Sequence, residues 1–168
     1  MNGTLRNVEG DATEPQTIHE KEIVVIPHVC NNENIWGGGF VIALSKKWPE
    51  PEQVYRELCE RRRPFPFMGE VCYAKIDNHL VVANMIGQCG TVSADNPIPI
   101  KYEALIKCMT EVVNKIERIK SQTSNPVVIH APKFGSLRAG GDWDFILELI
   151  REIWLENGIS VVIYNYVE

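Results

Sequence analysis

Residues 23–44 read IVVIPHVCNNENIWGGGFVIAL. Ile23-Val24-Val25-Ile26 is an unbroken apolar run, the pattern of a strand buried on both faces. Pro27 and His28 lead into a polar, glycine-rich stretch from Asn31 to Gly39. Phe40, Val41, Ala43 and Leu44 then recur at helical spacing until Pro49 stops them. A strand, a glycine loop and a helix in succession form one unit of a sheet whose helices pack on its faces.

Outward from that unit, the same alternation continues in both directions. Upstream, Leu5 to Val8 forms a short opening strand, followed by Gly10-Asp11 and a polar segment containing Pro15. Downstream, Pro51 opens a second helix whose face carries Val54, Tyr55, Leu58 and Cys59. Val71 to Ile76 and Leu80 to Ile86 read as strands joined by the turn Asp77-Asn78-His79. Gly87 to Ile100 holds two glycines and two prolines and reads as a loop. Tyr102, Leu105, Ile106, Met109, Val112, Val113, Ile116 and Ile119 trace one helical stripe. Val127-Val128-Ile129 supplies another buried strand, and Phe134 to Gly141 a second glycine-containing loop. Asp142 caps a helix bearing Trp143, Ile146, Leu147, Ile150 and Trp154, which Asn157-Gly158 ends before a closing strand, Val161-Val162-Ile163. The pattern predicts a single domain over residues 1–168, an α/β fold with a six-stranded, mixed, mostly parallel sheet and four helices. Ligands of such sheets bind beyond the carboxyl ends of the strands, where both glycine loops fall.

Composition bounds the function. The 168 residues carry 17 basic and 22 acidic side chains, a net charge of −5, with 45% hydrophobic residues. That balance lacks the basic footprint of nucleic-acid backbone binding. A small anion held by backbone amides needs no such excess. The five cysteines, Cys30, Cys59, Cys72, Cys89 and Cys108, form no CxxC pair and suit neither a zinc site nor a disulfide framework. No metal site is expected, and no cofactor. Reduced thiols, no signal peptide and no apolar run of membrane-spanning length give the expectation of a cytoplasmic protein without a membrane partner. One compact domain of this kind can work as a monomer. Arg61-Arg62-Arg63 reads as a solvated basic patch rather than a nucleic-acid site.

The two loops suit phosphate. Glycines at a helix start let backbone N–H groups approach an anion, and the helix dipole favours negative charge there. His28 to Gly39 runs from a buried strand straight into a helix, and Gly135-Ser136-Leu137-Arg138-Ala139-Gly140-Gly141 repeats the arrangement after another strand. Either loop alone is equally consistent with a tight turn. Neither fits GxxxxGK[ST], and neither gives GxGxxG with an acidic residue ending the next strand. A P-loop and a dinucleotide-binding Rossmann site are thereby disfavoured.

Three motifs in order carry a resemblance: Gly10-Asp11, then His28-x-Cys30-Asn31 before Trp36-Gly37-Gly38-Gly39, then Ala139-Gly140-Gly141-Asp142-Trp143. Over nearly its whole length the chain resembles a macro domain, a three-layer α/β/α fold. More narrowly, it resembles the branch holding the yeast-type ADP-ribose-1″-phosphate phosphatases and the enzymes that remove ADP-ribose from glutamate. The resemblance implies that Asp11, with Ala12 beside it, meets the adenine amino group, since a carboxylate only accepts. Asn31 would bind the distal ribose, and Gly37, Gly38 and Gly39 would carry phosphate contacts, with Phe40 lining the pocket or the core. Gly135, Ser136, Leu137, Arg138, Ala139 and Gly140 would hold the pyrophosphate from the other side through their backbone.

Histidine also stands at the position of His28 in phosphatase-like members, beside the distal ribose, so His28 is a candidate general base or proton donor. Asp142 is a second catalytic candidate, though capping alone accounts for it. His19, His79 and His130 are expected to lack a role. Trp36 either stacks on a ligand or plugs the loop base. Two departures bear on chemistry. The glutamate-deconjugating enzymes use a lysine near the end of the strand at Ile86 and an aspartate in the second loop. Here Gln88 and Ala139 stand near those places, which disfavours a covalent lysine mechanism. Leu137 replaces a glycine of many relatives, so its side chain must point away from the phosphates. The sequence therefore supports binding of ADP-ribose or ADP-ribose-1″-phosphate with hydrolysis of the terminal phosphate. A non-catalytic reader of ADP-ribose, and a hydrolase acting on an ADP-ribosylated protein or nucleic acid, are the alternatives.

Overall fold

The computed structural model describes residues 1–62 and 67–166. Its six strands are β1 (Leu5–Glu9), β2 (Ile23–Asn31), β3 (Val71–Asp77), β4 (Leu80–Gln88), β5 (Val127–Pro132) and β6 (Ser160–Asn165). The helices are α1 (Phe40–Lys47), α2 (Glu50–Arg62), α3 (Tyr102–Lys120) and α4 (Trp143–Leu149). One mixed sheet runs β1-β6-β5-β2-β4-β3. Every pairing is parallel except β3 with β4, so the sheet is mixed at one edge, as the hairpin at Asp77 predicts.

Strand β2 lies at the centre, between β5 and β4, and Ile23 to Ile26 are all buried. Alternation along β2 sends Val25 to the face covered by α3 and α4, and Val24 and Ile26 to the face covered by α1. The three-layer order follows. Helix α3 presents Ala104, Leu105, Cys108, Met109, Val112 and Ile116 inward at three- and four-residue steps. Ile106, expected on that stripe, is instead exposed, because the inward rows pass on either side of it.

The helix expected to run unbroken to Trp154 changes form after Leu149. Ile150–Trp154 is a π-helical turn and Leu155–Asn157 a 3₁₀ turn, ended by Gly158 in the left-handed conformation. Trp154 is fully buried there, and its indole Nε1 donates to the Met109 carbonyl at 3.0 Å. The wider turn presents both Ile150 and Trp154 to α3.

Among the described residues no disulfide joins the five cysteines, and no helix is long and apolar enough to cross a membrane. Of the basic run, Arg62 grips Glu70 through both carboxylate oxygens; Arg63 lies outside the described residues. The loops that matter all sit at one edge: 10–22 after β1, 32–39 after β2, 89–101 after β4 and 133–142 after β5.

Candidate functional site

Loop 32–39 is shaped by side chains that the sequence motifs do not include. Asn31, only 7% exposed, uses its amide inside its own loop. Its Oδ1 accepts from the N–H groups of Glu33 and Ile35 and from the Tyr55 hydroxyl, and its Nδ2 donates to the Ile35 carbonyl at 2.7 Å. Where the sequence expectation gave Asn31 to a ribose, the structure has this amide folding its own loop, with Oδ1 already accepting three hydrogen bonds and Nδ2 keeping one hydrogen uncommitted. Asn34 follows with φ of +61°, the one non-glycine residue among those described in that region, and Arg56 of α2 holds its carbonyl and side chain. Asn32 ties the loop sideways by accepting from Gly90 N–H at 3.0 Å.

Trp36 is the plug rather than a stacking platform. Its Nε1 donates to Ser45 Oγ at 2.8 Å, and its ring packs edge-on against His28 and obliquely against Tyr55. Phe40 packs against the other side of His28 and into the core beneath α1. A shallow recess of about 360 Å³, lined by Trp36, Val41, Ile42, Ser45, Lys46 and Glu52, opens beside α1 rather than between the glycine loops.

His28 does not face the cleft. It is 2% exposed, on the same face of β2 as Val24 and Ile26, and enclosed by Trp36 and Phe40. Asn84 of β4 lies 2.5 Å from its Nε2 through Oδ1, while the Asn84 amide nitrogen donates to the Pro51 carbonyl. That arrangement fixes the hydrogen of His28 on Nε2. Burial lowers its pKa to about 4, only partly opposed by the bond to Asn84. A neutral imidazole enclosed by Trp36 and Phe40, with its Nε2 proton given to Asn84, has a structural part in the sheet, whereas the sequence expectation set it beside the distal ribose.

Asp142 has a structural part as well. It is exposed at the start of α4, where Oδ1 accepts from the N–H groups of Asp144 and Phe145. Its own N–H donates to the Tyr102 hydroxyl at 2.9 Å. Among the described residues no hydrogen bond joins it to His28. His130 was expected to lack a role, yet it is fully buried in a chain of hydrogen bonds. Glu22 binds its Nε2 at 2.6 Å and the Tyr164 hydroxyl its Nδ1 at 2.7 Å, and that hydroxyl accepts from Gln16 N–H. This chain anchors the segment after β1 to the sheet.

Asp11 makes a turn: its Oδ1 accepts from the Thr13 N–H and hydroxyl, each at 2.8 Å. The second oxygen has no hydrogen-bond donor among the described residues. Ala12 is buried against Val162 and Tyr164, so any ligand contact from it is through the backbone.

The two glycine loops face each other as the sequence suggests. Helix α1 begins without a capping side chain, Gly39 preceding it at φ +76°. Among the described residues nothing accepts from the N–H groups of Phe40 and Val41, nor from those of Ser136, Leu137, Arg138 and Ala139. The second loop is nevertheless well fixed: Gly141 N–H donates to Gly135 carbonyl at 2.8 Å, and Ile100 N–H to Ala139 carbonyl at 3.0 Å. Gly140 (φ +75°) must be glycine, since a Cβ there would meet the Pro97 carbonyl oxygen at 2.8 Å. Ala139 is buried in the main core, and Leu137, 90% exposed, points into solvent. Gln88 donates to the Gly90 carbonyl and shapes its own loop. Unpaired donors on both walls and no carboxylate bonded to either make this cleft suited to an anion.

Asn84, Tyr55, Arg56 and Glu22 were not expected from the sequence to hold the loops. Only Tyr55 had a signal, its place on the inner face of α2; the others act through partners far away in the chain.

No family model matches the sequence. A protein of unknown function from Bacteroides thetaiotaomicron is similar at 35% identity and a TM-score of 0.86, over 98% of this chain and 99% of that one. A macrodomain protein from Streptomyces coelicolor is 33% identical with a TM-score of 0.78, over 96% of this chain and 98% of its own. Among curated proteins, the ADP-ribose 1''-phosphate phosphatase of Lodderomyces elongisporus is 26% identical over 145 residues, 84% of this chain and 87% of that protein.

Proposed function

From the premise that this chain belongs to the macrodomain family, we propose that it binds ADP-ribose in the cleft between loops 32–39 and 133–142 and hydrolyses the terminal phosphate of ADP-ribose-1″-phosphate. The observation that carries the binding is the pair of facing walls with unpaired backbone N–H donors. One wall is the uncapped start of α1 and the other the run from Ser136 to Ala139. A pyrophosphate supplies acceptors to both walls at once, and the partial positive charge at the helix start favours it. Asp11, beyond β1 at the sheet edge, offers its second carboxylate oxygen to an adenine amine.

The phosphatase step rests on the activity named for the curated relative. Side-chain chemistry has less support than the sequence expectation gave it: His28 is enclosed and bonded to Asn84, and Asp142 caps α4 through Oδ1, its Oδ2 being without a partner among the described residues. What the chain supplies is charge stabilisation by fixed backbone dipoles aimed at the phosphoryl oxygens, with water as nucleophile. Removal of ADP-ribose from a macromolecule gains no support from side chains, because Gln88 and Ala139 are both engaged in holding loops.

The test is calorimetric titration of the protein with ADP-ribose, paired with an assay for phosphate released from ADP-ribose-1″-phosphate. Binding with release supports both parts. Binding without release leaves a reader module and overturns the enzyme. Absence of ADP-ribose binding overturns the reading as a whole.

A further inference from the structure

Arg138 sits near the tip of the second glycine loop, yet its side chain crosses to the first. A Cβ built on Gly38 would lie 2.5 Å from Arg138 Nη1, 2.7 Å from Cζ and 3.2 Å from Nη2. One on Gly39 would lie 3.4 Å from Cδ and 3.7 Å from Nε. The guanidinium thus lies against Gly38 with the stem running along Gly39, in space that exists because neither residue has a side chain. The φ of Gly38 is not positive, so this contact, and not the backbone conformation, is what a side chain there would disturb.

The electrostatics of that position are one-sided. Among the described residues no carboxylate pairs with Arg138, and its side chain donates no hydrogen bond to another group. It is held beside the start of α1, where the helix dipole and the unpaired N–H groups of Phe40 and Val41 are themselves positive. A cation packed against a positive pole without an acceptor is a poor arrangement by itself. An anion with two adjacent acceptor groups placed between them turns each of these contacts favourable. A planar guanidinium matches phosphate oxygens in two parallel hydrogen bonds, which an ammonium does not.

We propose that the Arg138 side chain is a specificity determinant of the cleft, gripping the diphosphate of the ligand from its seat on Gly38 and Gly39 and so favouring nucleoside diphosphate derivatives over monophosphates. This rests on the reading that ADP-ribose occupies the cleft. It adds a side-chain contact where backbone amides alone were expected, and it gives the second loop a reach across to the first.

The experiment is calorimetry of the full chain with ADP-ribose and with AMP, on the wild type, Arg138→Ala, Arg138→Lys and Gly38→Ala. Circular dichroism and melting confirm that each variant folds. Arg138→Ala is expected to weaken ADP-ribose about tenfold or more, the usual scale for losing a charged phosphate contact, while AMP changes much less. Arg138→Lys should recover only part, because it restores charge without the paired geometry. Gly38→Ala, which keeps the arginine but fills its seat, should weaken ADP-ribose selectively as well. Unchanged or tighter ADP-ribose binding by Arg138→Ala overturns the clasp, the tighter case marking the side chain as a plug. Equal losses for ADP-ribose and AMP overturn the preference for a diphosphate. Failure of the wild type to bind ADP-ribose at all is a failure of the functional reading, and is read before any variant is made.

Discussion

Asn84 and His28 show how one buried pair changes what a residue can do. Asn84 is fully buried, and it satisfies the Pro51 carbonyl with its nitrogen and His28 with its oxygen. The histidine pKa falls to about 4 from its ordinary 6.5 because the charged ring would be enclosed by apolar and aromatic neighbours. The folded state therefore prefers the neutral ring. Stability from this preference is complete above pH 6.5 and is lost as pH falls towards 4. At about 1.4 kcal/mol for each pH unit, the loss over that window is roughly 3 kcal/mol. Burial also lowers His130, against the pull of Glu22, so its contribution has the same sign. Urea unfolding of His28→Gln and wild type at pH 7.5 and 4.5 checks this: the variant should show a visibly shallower loss of stability on acidification. Parallel losses would mean that His28 is not the titrating group. Phosphate released per folded molecule should be the same in both, which a catalytic histidine would forbid. The sequence placed His28 at the end of β2, and alternation from Val24 and Ile26 also indicates its face. It could not show Asn84, 56 residues away, which decides its chemistry.

At the scale of elements, Asp142 couples the second loop to α4. Its carboxylate accepts from the N–H groups of Asp144 and Phe145, the orphan donors of a helix start. Asp142→Ala should cost about 1 kcal/mol, a fall in melting temperature of roughly 2–4 °C for a domain of this size. Asp142→Asn keeps an acceptor oxygen and should restore most of that. Phosphate release per folded molecule should survive both changes; a loss of many fold without a melting shift would make Asp142 a chemical group after all. The cap was legible because Asp before an apolar-periodic run is a local signal, as were all six strands and four helices. The π turn after Leu149 was not, since Ile150 and Trp154 read as ordinary helix positions four apart. The bond that Trp154 of this turn makes to the Met109 carbonyl, on another helix, is non-local too. The bonds from Ile100 to Ala139 and from Gly90 to Asn32, which lock three loops together, are likewise non-local and leave no mark on periodicity.

Across the whole molecule, strand order lays out the ligand. Asp11 follows β1 at one edge, the second loop follows β5, and the first follows β2. From β1 to β2 is three inter-strand steps of about 4.8 Å, roughly 14 Å in all. The second loop, after β5, is two steps from β1, roughly 10 Å, so changes at the adenine end and at either phosphate wall should act independently. Asp11→Asn isolates the first. Its retained oxygen can still accept from Thr13 and hold the turn, while the other oxygen becomes an NH₂ that confronts the adenine amine donor to donor. We expect Asp11→Asn to leave the melting temperature unchanged and to weaken AMP and ADP-ribose by the same factor, about tenfold. Combined with Arg138→Ala, the losses of ADP-ribose binding energy should add. An Asp11→Asn protein that binds AMP as tightly as wild type would show that adenine does not lie beyond β1. The order of ligand groups along the sheet would then have to be reversed, although the anion cleft between the glycine loops would stand. Strong non-additivity with Arg138→Ala would instead mean that loops 10–22 and 133–142 move as one unit, a coupling that the buried chain from Gln16 through Tyr164 to His130 of β5 is placed to carry.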